Sequence, residues 1–461
     1  MKISKRIIRI INFQSFISDL FFHICLFTFA FLLLTSCETT EPPPSNQKLT
    51  LVAEDASCTE AWLNLKLENS SLPTEIELKQ NNTTIITTNV NSNDTTLFVE
   101  NLLPSQTYIF QATNIKYQVS SNKVSVTAMD TTSHNFTWET FTIGDGGLLR
   151  DVAVIDENNI WAVGEIHTED TDKFDSNGVW VQPYNAVHWD GNEWELKRIM
   201  FPTDADQPNG HKSAKECRAI YIFSQDDFII SSSVQIALMN SQNNYNIEKM
   251  GFKWEDRFTI NSIWGTSSED FYVVGNGGNI AHYNGSSWRK IESGTDVDLV
   301  DIWGSSDGKK IWVCGNDDFK PTVLLKMENN KTDIMYNSRD NRFSYDFNHL
   351  SGDFTSIWSD DKNSLYILTA YDLYRIYKGN IADPKALWKN RAEQIATRKA
   401  RGTNSNNIFI VGENGSLCHY NGVSWKTYSE LYERFRDFKS ISVNKNIIVV
   451  VGQDYIIRNR R

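Results

Sequence analysis

The segment EDTDKFDSNG sets Asp170, Asp172, Asp175 and Asn177 within one short stretch. Carboxylate and amide oxygens grouped this closely are the hard ligands that calcium takes. The spacing departs from the D-x-[DN]-x-[DN]-G loop, with Phe174 standing where a ligand belongs. The stretch therefore reads first as an acidic solvated loop, with calcium on Asp170, Asp172 and Asp175 as the alternative. His188, His282 and His419 each stand just before a Trp or Tyr at one recurring position. A residue that recurs unit after unit is expected to be structural rather than a ligand or a base. Cys25, Cys37, Cys58, Cys217, Cys314 and Cys418 show no CxxC or metal spacing. Cys314 and Cys418 fall in apolar runs, where buried thiols are expected. No pair of carboxylates stands at a convincing position, and no cofactor is expected. Catalysis stays open, because the two acids of a glycosidase need not be close in sequence.

What positions these residues is a repeat. Asn261–Trp288, NSIWGTSSEDFYVVGNGGNIAHYNGSSW, reads as a short apolar strand, a polar turn, a continuous apolar strand closed by Gly275, a third strand, an Asn284-Gly285 hairpin turn and a fourth strand opened by Trp288. Four antiparallel strands in roughly 40 residues is the period of one propeller blade. The unit recurs, marked by the small residue that closes its second strand: Gly164, Ser232, Gly275, Gly315, Thr369, Gly412 and Gly452. The base period is about 40–43 residues with two longer intervals, and seven marks predict seven blades. Only QDYIIRNRR follows Gly452, enough for a third strand and not a fourth. Phe136–Ile143, FTWETFTI, precedes the first unit as an orphan strand. Its pairing with the C-terminal strand would complete the last blade from both ends of the chain and remove an open edge.

Two kinds of junction carry insertions. Glu165–Asn185 lies between the second and third strands of the first unit, and Met200–Glu216 between the first unit and the second. Asn316–Pro321 and Asn337–Asp353 take the same places around the fourth unit. In a meander both junctions emerge at the end where the inner strands begin, so all four insertions are expected on one face. They carry Trp180, Tyr184, Phe319, Phe343, Tyr345 and Phe347, which could grip a sugar ring or a peptide or could staple the loops to the blades.

Residues 1–36 run from Lys2, Lys5, Arg6 and Arg9 through the apolar Phe21–Leu34 to LLLTSC, the order of a secretory signal. LTSC resembles a bacterial lipoprotein box, which implies cleavage before Cys37 and its lipidation; an uncleaved anchor is the alternative. Glu38–Gln47 is a Pro-rich spacer, and Glu38 after Cys37 is similar to surface-export signals of some lipoproteins. Outer-membrane attachment is expected, on the periplasmic or the outer side. The chain of 461 residues carries a net charge of −12, which argues against nucleic acid as partner.

Residues 48–132 are Thr- and Asn-rich and spaced like the strands of a small sandwich. Leu103-Pro104-Ser105-Gln106-Thr107-Tyr108 resembles the L-P-x-x-x-Y signature of fibronectin type III domains, which implies a tyrosine corner at Tyr108 and a core position for Trp62. The repeat from 136 to 461 resembles bacterial propeller proteins with IWG-S-S-x-x-D-[FIV]-[WY]-x-V-G repeats, best at Ile263–Gly275 and Ile302–Gly315. Ser305–Trp312, SSDGKKIW, is similar to a sialidase box but departs from it, because glycine follows aspartate directly. The expected fold class is thus all-β, a small β-sandwich followed by a seven-bladed β-propeller closed by its N- and C-terminal strands. Three functions are compatible: a lipid-anchored binding or scaffold protein with a glycan or protein ligand, a carbohydrate-active enzyme, and a structural part of an envelope assembly.

Overall fold

The computed structural model describes Ile10–Ile11 and residues 46–460, apart from 205, 208, 226, 241–244, 250–256, 318–319, 340–349, 351, 361, 390–394 and 435. Apart from Ile10–Ile11, the expected signal lies outside the described residues, as do Cys37, most of the spacer, Phe319, Phe343, Tyr345 and Phe347. The chain divides into two units, Met1–Thr131 and Thr132–Arg461.

In the first unit, strands Lys48–Ala56, Glu60–Glu68 and Asp94–Glu100 form one antiparallel sheet, which Ile10–Ile11 joins beside Asp94–Glu100. Thr83–Val90, Thr74–Gln80, Thr107–Asn114 and Val119–Ser120 form another, with Val124–Thr127 also paired to Thr107–Asn114. Side chains alternate across a strand, so Leu63, Leu65 and Leu97 of one sheet meet Ile76, Leu78 and Phe110 of the other in a single core. The same alternation puts Trp62 out of phase with Ala61 and Leu63. Trp62 is buried as expected, 3% exposed, but on the opposite face of the sheet, against its cross-strand neighbour Phe98 at 5.3 Å. The Tyr108 hydroxyl accepts a hydrogen bond from the Leu103 N–H at 2.9 Å, the contact of a tyrosine corner.

Among the described residues, the second unit holds seven four-stranded antiparallel sheets and two short hairpins. The first strands of the sheets are Leu148–Asp156, Ala219–Ser224, Ile260–Ser267, Leu299–Gly304, Phe354–Ser359, Thr397–Asn404 and Phe438–Asn444. Each packs against the first strand of the next sheet, and Phe438–Asn444 packs back against Leu148–Asp156. Six sheets run in chain order. In the seventh, Thr137–Thr142 pairs antiparallel with Tyr455–Arg460, with Phe141 opposite Ile456, which is the pairing expected from FTWETFTI.

Two local devices explain the repeat. In six sheets the first strand carries a bulge near its start, between Leu149 and Asp151 in the first and between Ile260 and Ser262 in the third. The bulge pushes a carbonyl against the residue closing the second strand. A Cβ on Gly275 would stand 1.9 Å from the Thr259 oxygen, and one on Gly164 2.0 Å from that of Leu148. Only a side chain of hydrogen fits at those two positions, and glycine closes five of the seven units; Thr369 closes the fifth although its first strand carries the bulge too. The recurring histidine stacks on the aromatic ring opposite it in the second strand: His188 on Trp161 at 4.5 Å, His282 on Tyr272 at 4.2 Å, His419 on Phe409 at 4.3 Å. Each imidazole Nε2 bonds a side-chain oxygen at that strand's start, from Asn159, Asp270 and Asn407 respectively.

The chain entering the seventh sheet is latched through one of these histidines. His134 Nδ1 and His419 Nδ1 lie 2.9 Å apart, so one ring donates to the other, and the His134 carbonyl accepts from Lys426 Nζ and the Tyr428 hydroxyl. Burial, aided by the His134 and Lys426 charges, pushes His419 down to about 3, whereas an unfolded histidine titrates near 6.5. Between those values the unfolded state binds the extra proton, so stability falls as the pH drops through this window. The slope from this group reaches about 1.4 kcal/mol per pH unit. Chemical denaturation between about pH 6.5 and about pH 4 is expected to show a flatter pH dependence for His419→Gln than for the wild type. An unchanged slope would mean that His419 is not the acid-sensitive latch.

Candidate functional site

With first strands side by side around the ring, the junctions between second and third strands and those between sheets share one end. The insertion after Asn159–Ile166 is built there. It folds into a hairpin, Lys173–Phe174 paired with Trp180–Val181. The turn is fixed by its own polar groups: Asp175 Oδ1 accepts the N–H of Asn177 and of Val179, both at 2.8 Å, and Gly178 takes φ +75°. Phe174 and Trp180 face each other across the ladder with ring centroids 5.2 Å apart, edge to face. Phe174 is 68% exposed, Val179 61% and Trp180 47%. Three large apolar side chains are thus gathered on one small hairpin and left in water.

Tyr184, the other aromatic expected here, has a different role. The Arg198 guanidinium lies over its ring at 3.7 Å, and its hydroxyl donates to Asp170 Oδ2 at 3.3 Å. Arg198 in turn donates to the carbonyls of Gln182 and Pro183. Tyr184 thus anchors the base of the insertion, while Trp180 is displayed at its tip. Phe174 and Val179 were not singled out from sequence; the signal available was their place beside the Asn-Gly turn, which pairs them with Trp180.

The acidic residues are engaged one by one. Asp170 accepts from Thr168 and Tyr184, Asp175 holds the turn, and Asp172 lies 2.6 Å from His167 Nδ1, with Glu165 2.9 Å from Nε2. Among the described residues no group of three or more His, Cys, Asp or Glu side chains is disposed to hold a metal ion. The Asp172 hydrogen bond raises the His167 pKa, burial opposes it, and Glu165 adds to the rise.

The axis of the ring carries a second polar constellation. At the residue after the bulge stand Asp151, Ser262, Asp301, Ser356, Lys399 and Ser440. Asp301 is fully buried. Its Oδ1 accepts from Ser262 Oγ at 3.0 Å, Lys399 Nζ at 2.9 Å and Arg401 Nη2 at 3.0 Å. Its Oδ2 accepts from Ser356 Oγ at 2.8 Å, the Ile357 N–H at 3.0 Å and Arg401 Nη1 at 3.0 Å. Burial alone would raise the Asp301 pKa, but Arg401 and then Lys399 hold it well below the usual carboxylate range. Asp151 repeats the scheme without cations, accepting from Ser440 Oγ at 2.7 Å and the Ile220 N–H at 3.0 Å. A cavity of about 210 Å³ between them is lined by Asp151, Tyr221, Ser262, Trp303, Lys399 and Arg401. A carboxylate committed to this many donors is not available as a base or nucleophile, so Asp301 serves as a pin between sheets.

An all-β chain of repeated four-stranded sheets with first strands gathered on an axis is propeller-like. Solved structures agree: the chain is similar to YCF48 bound to D1 peptide, with 12% identity and a TM-score of 0.52 over 72% of this chain and 99% of that one. A computationally designed protein, Ika8, aligns at 9% identity and a TM-score of 0.44 over 69% of this chain and 98% of that one. No family model and no curated protein sequence matches the chain. At such identity the likeness to YCF48 establishes the propeller-like fold and nothing finer.

Two outcomes test the geometry. Asp301→Ala strands two largely buried cations and is expected to cost about 3–5 kcal/mol in chemical denaturation. Replacing Lys399 and Arg401 by Met in the same protein should recover part of that loss; a variant as stable as wild type would refute the pin. His167, followed by NMR, should titrate above the ordinary histidine value. Its contribution to stability is complete below that value and fades as the pH rises through the raised one. Asp172→Asn should move the midpoint down, and an unmoved midpoint would rule out Asp172 as the cause.

Proposed function

We propose that the chain is a lipid-anchored cell-envelope protein whose propeller binds a protein or peptide ligand at the face where the inner strands begin. The observation that carries this reading is the hairpin that holds Phe174, Val179 and Trp180 out in water on a rigid turn. Aromatic side chains displayed with little freedom to lose are the usual anchors of protein recognition. The fold likeness to YCF48, which is bound to D1 peptide in its structure, points the same way.

The architecture belongs to the same proposal. Seven sheets, each with its first strand beside the next, and a seventh completed by Thr137–Thr142, support a closed seven-bladed propeller at 136–461. Two sheets on one core and the Tyr108 contact support a fibronectin type III-like spacer at 48–132. The basic, apolar, LTSC order supports a signal at 1–36 and a lipidated Cys37 at the outer membrane, followed by a short spacer.

Selection of a random peptide display library on the full chain tests the binding reading. Enriched peptides are expected to bind the wild type and to lose about tenfold or more in affinity on Phe174→Ala/Trp180→Ala, with the melting temperature unchanged. Enrichment of no peptide, or of peptides indifferent to both substitutions, would overturn it.

A further inference from the structure

The charge around the hairpin narrows the class of ligand. Between Glu165 and Asn185 stand Glu165, Glu169, Asp170, Asp172 and Asp175, against Lys173 and His167. Asp175 is bound to backbone N–H groups of its own turn, and Asp172 shares a hydrogen bond with His167. Glu169, Asp170 and Asp172 are exposed beside the apolar tip. The nearest Arg, Arg198, has its guanidinium over Tyr184 and bonded to two carbonyls at the base of the loop. The insertion's own exposed charges beside the apolar tip are thus mostly negative, Lys173 being the exposed cation among them.

Resting on the reading of this face as a protein-binding one, we infer that the hairpin takes a cationic segment of a partner protein, rich in Arg or Lys. Such side chains join both halves of the surface. Their aliphatic stems cover Phe174, Val179 and Trp180, and a guanidinium or ammonium over the Trp180 ring gains cation–π attraction. The charged heads then reach the Glu169, Asp170 and Asp172 carboxylates, where charge-assisted hydrogen bonds form. An acidic segment meets repulsion at every one of these positions. A neutral one gains the apolar contact but no attraction from the carboxylates, so the surface discriminates by charge. The hairpin is prepared for this: its turn bonds are made and its aromatic pair is already docked edge to face, so little ordering remains to be done on binding.

The test uses the full chain and three fluorescent peptides of equal length, one with Arg and Lys interspersed with apolar residues, one with Gln in their place, one with Glu, together with a neutral oligosaccharide. The cationic peptide should bind and weaken about fivefold or more between about 50 and about 500 mM NaCl. It should lose about tenfold on Phe174→Ala/Trp180→Ala and a smaller factor on Glu169→Gln/Asp172→Asn. The latter pair is chosen because Glu169 is exposed and Asn tolerates the positive φ of Asp172. Equal or tighter binding of the Gln or Glu peptide or of the oligosaccharide, or indifference to the charge substitutions, would overturn the cationic class. Library binders that need Trp180 but carry no positive charge would overturn it too, while leaving the protein-binding reading in place. Binding of no peptide in either experiment would remove both.

Discussion

The second unit depends on a carboxylate taken out of water. Asp301 sits where four sheets meet, and its two oxygens receive donors from Ser262, Ser356, Ile357, Lys399 and Arg401. A lone ion at that depth would be untenable; with two cations and three neutral donors it fixes the relative height and angle of its neighbours. Apolar packing between sheets is non-directional and would tolerate sliding by a residue. Hydrogen bonds to one carboxylate do not. On the far side of the ring Asp151 does the same between Ser440 and Ile220 with neutral donors only. Two acidic pins therefore set the register of sheets that share no backbone ladder.

The bulge is what makes the pins possible. An extra residue near the start of the first strand shifts the next side chain into the axial ring, and the carbonyl it displaces presses on the glycine that closes the second strand. One irregularity thus accounts for the repeating Gly, for the polar residue at the axis and for the way the insertions leave the sheet. The bulge does not by itself decide the closing residue: Ser232 closes the second sheet, whose first strand lacks it, and Thr369 closes the fifth, whose first strand has it.

The features that could be read from residue order are those in which a local cause has a local mark. The Gly-closed strands, the Tyr-Asn-Gly turn followed by Trp, the orphan FTWETFTI and the insertions all carry their mechanism within a few residues. The histidine stacks were legible as structural for the same reason, since His282 and Tyr272 are hairpin neighbours. The Asp301 constellation was not. Its partners lie up to 100 positions away, in three other sheets, and TRKARGTN reads as an ordinary basic strand. The burial of Trp62 was legible but its face was not, because a motif match says which residue is present and not which way a period-two strand turns it. In the insertion, Trp180 and Tyr184 looked alike as sequence. Arg198 made the difference by covering one ring and leaving the other bare.

The division of labour between ring and insertion follows from these energetics. Inside the ring the polar groups that give direction are spent on neighbouring sheets: Asp301 on its cations, Asp151 on Ser440 and Ile220, Arg150 on Glu216 ahead of the second sheet. A ligand entering along the axis would have to displace interactions that hold the register. The insertion after Asn159–Ile166 is free of that duty. Its base is tied down by Tyr184, Arg198 and His167, so the tip inherits the rigidity of the ring without its obligations. A protruding hairpin on a stiff base can carry exposed aromatic surface without collapsing onto the scaffold, because its own turn bonds, and not burial, keep it in shape. On the proposed reading, recognition falls where the chain departs from the repeat, and the repeat holds that departure still.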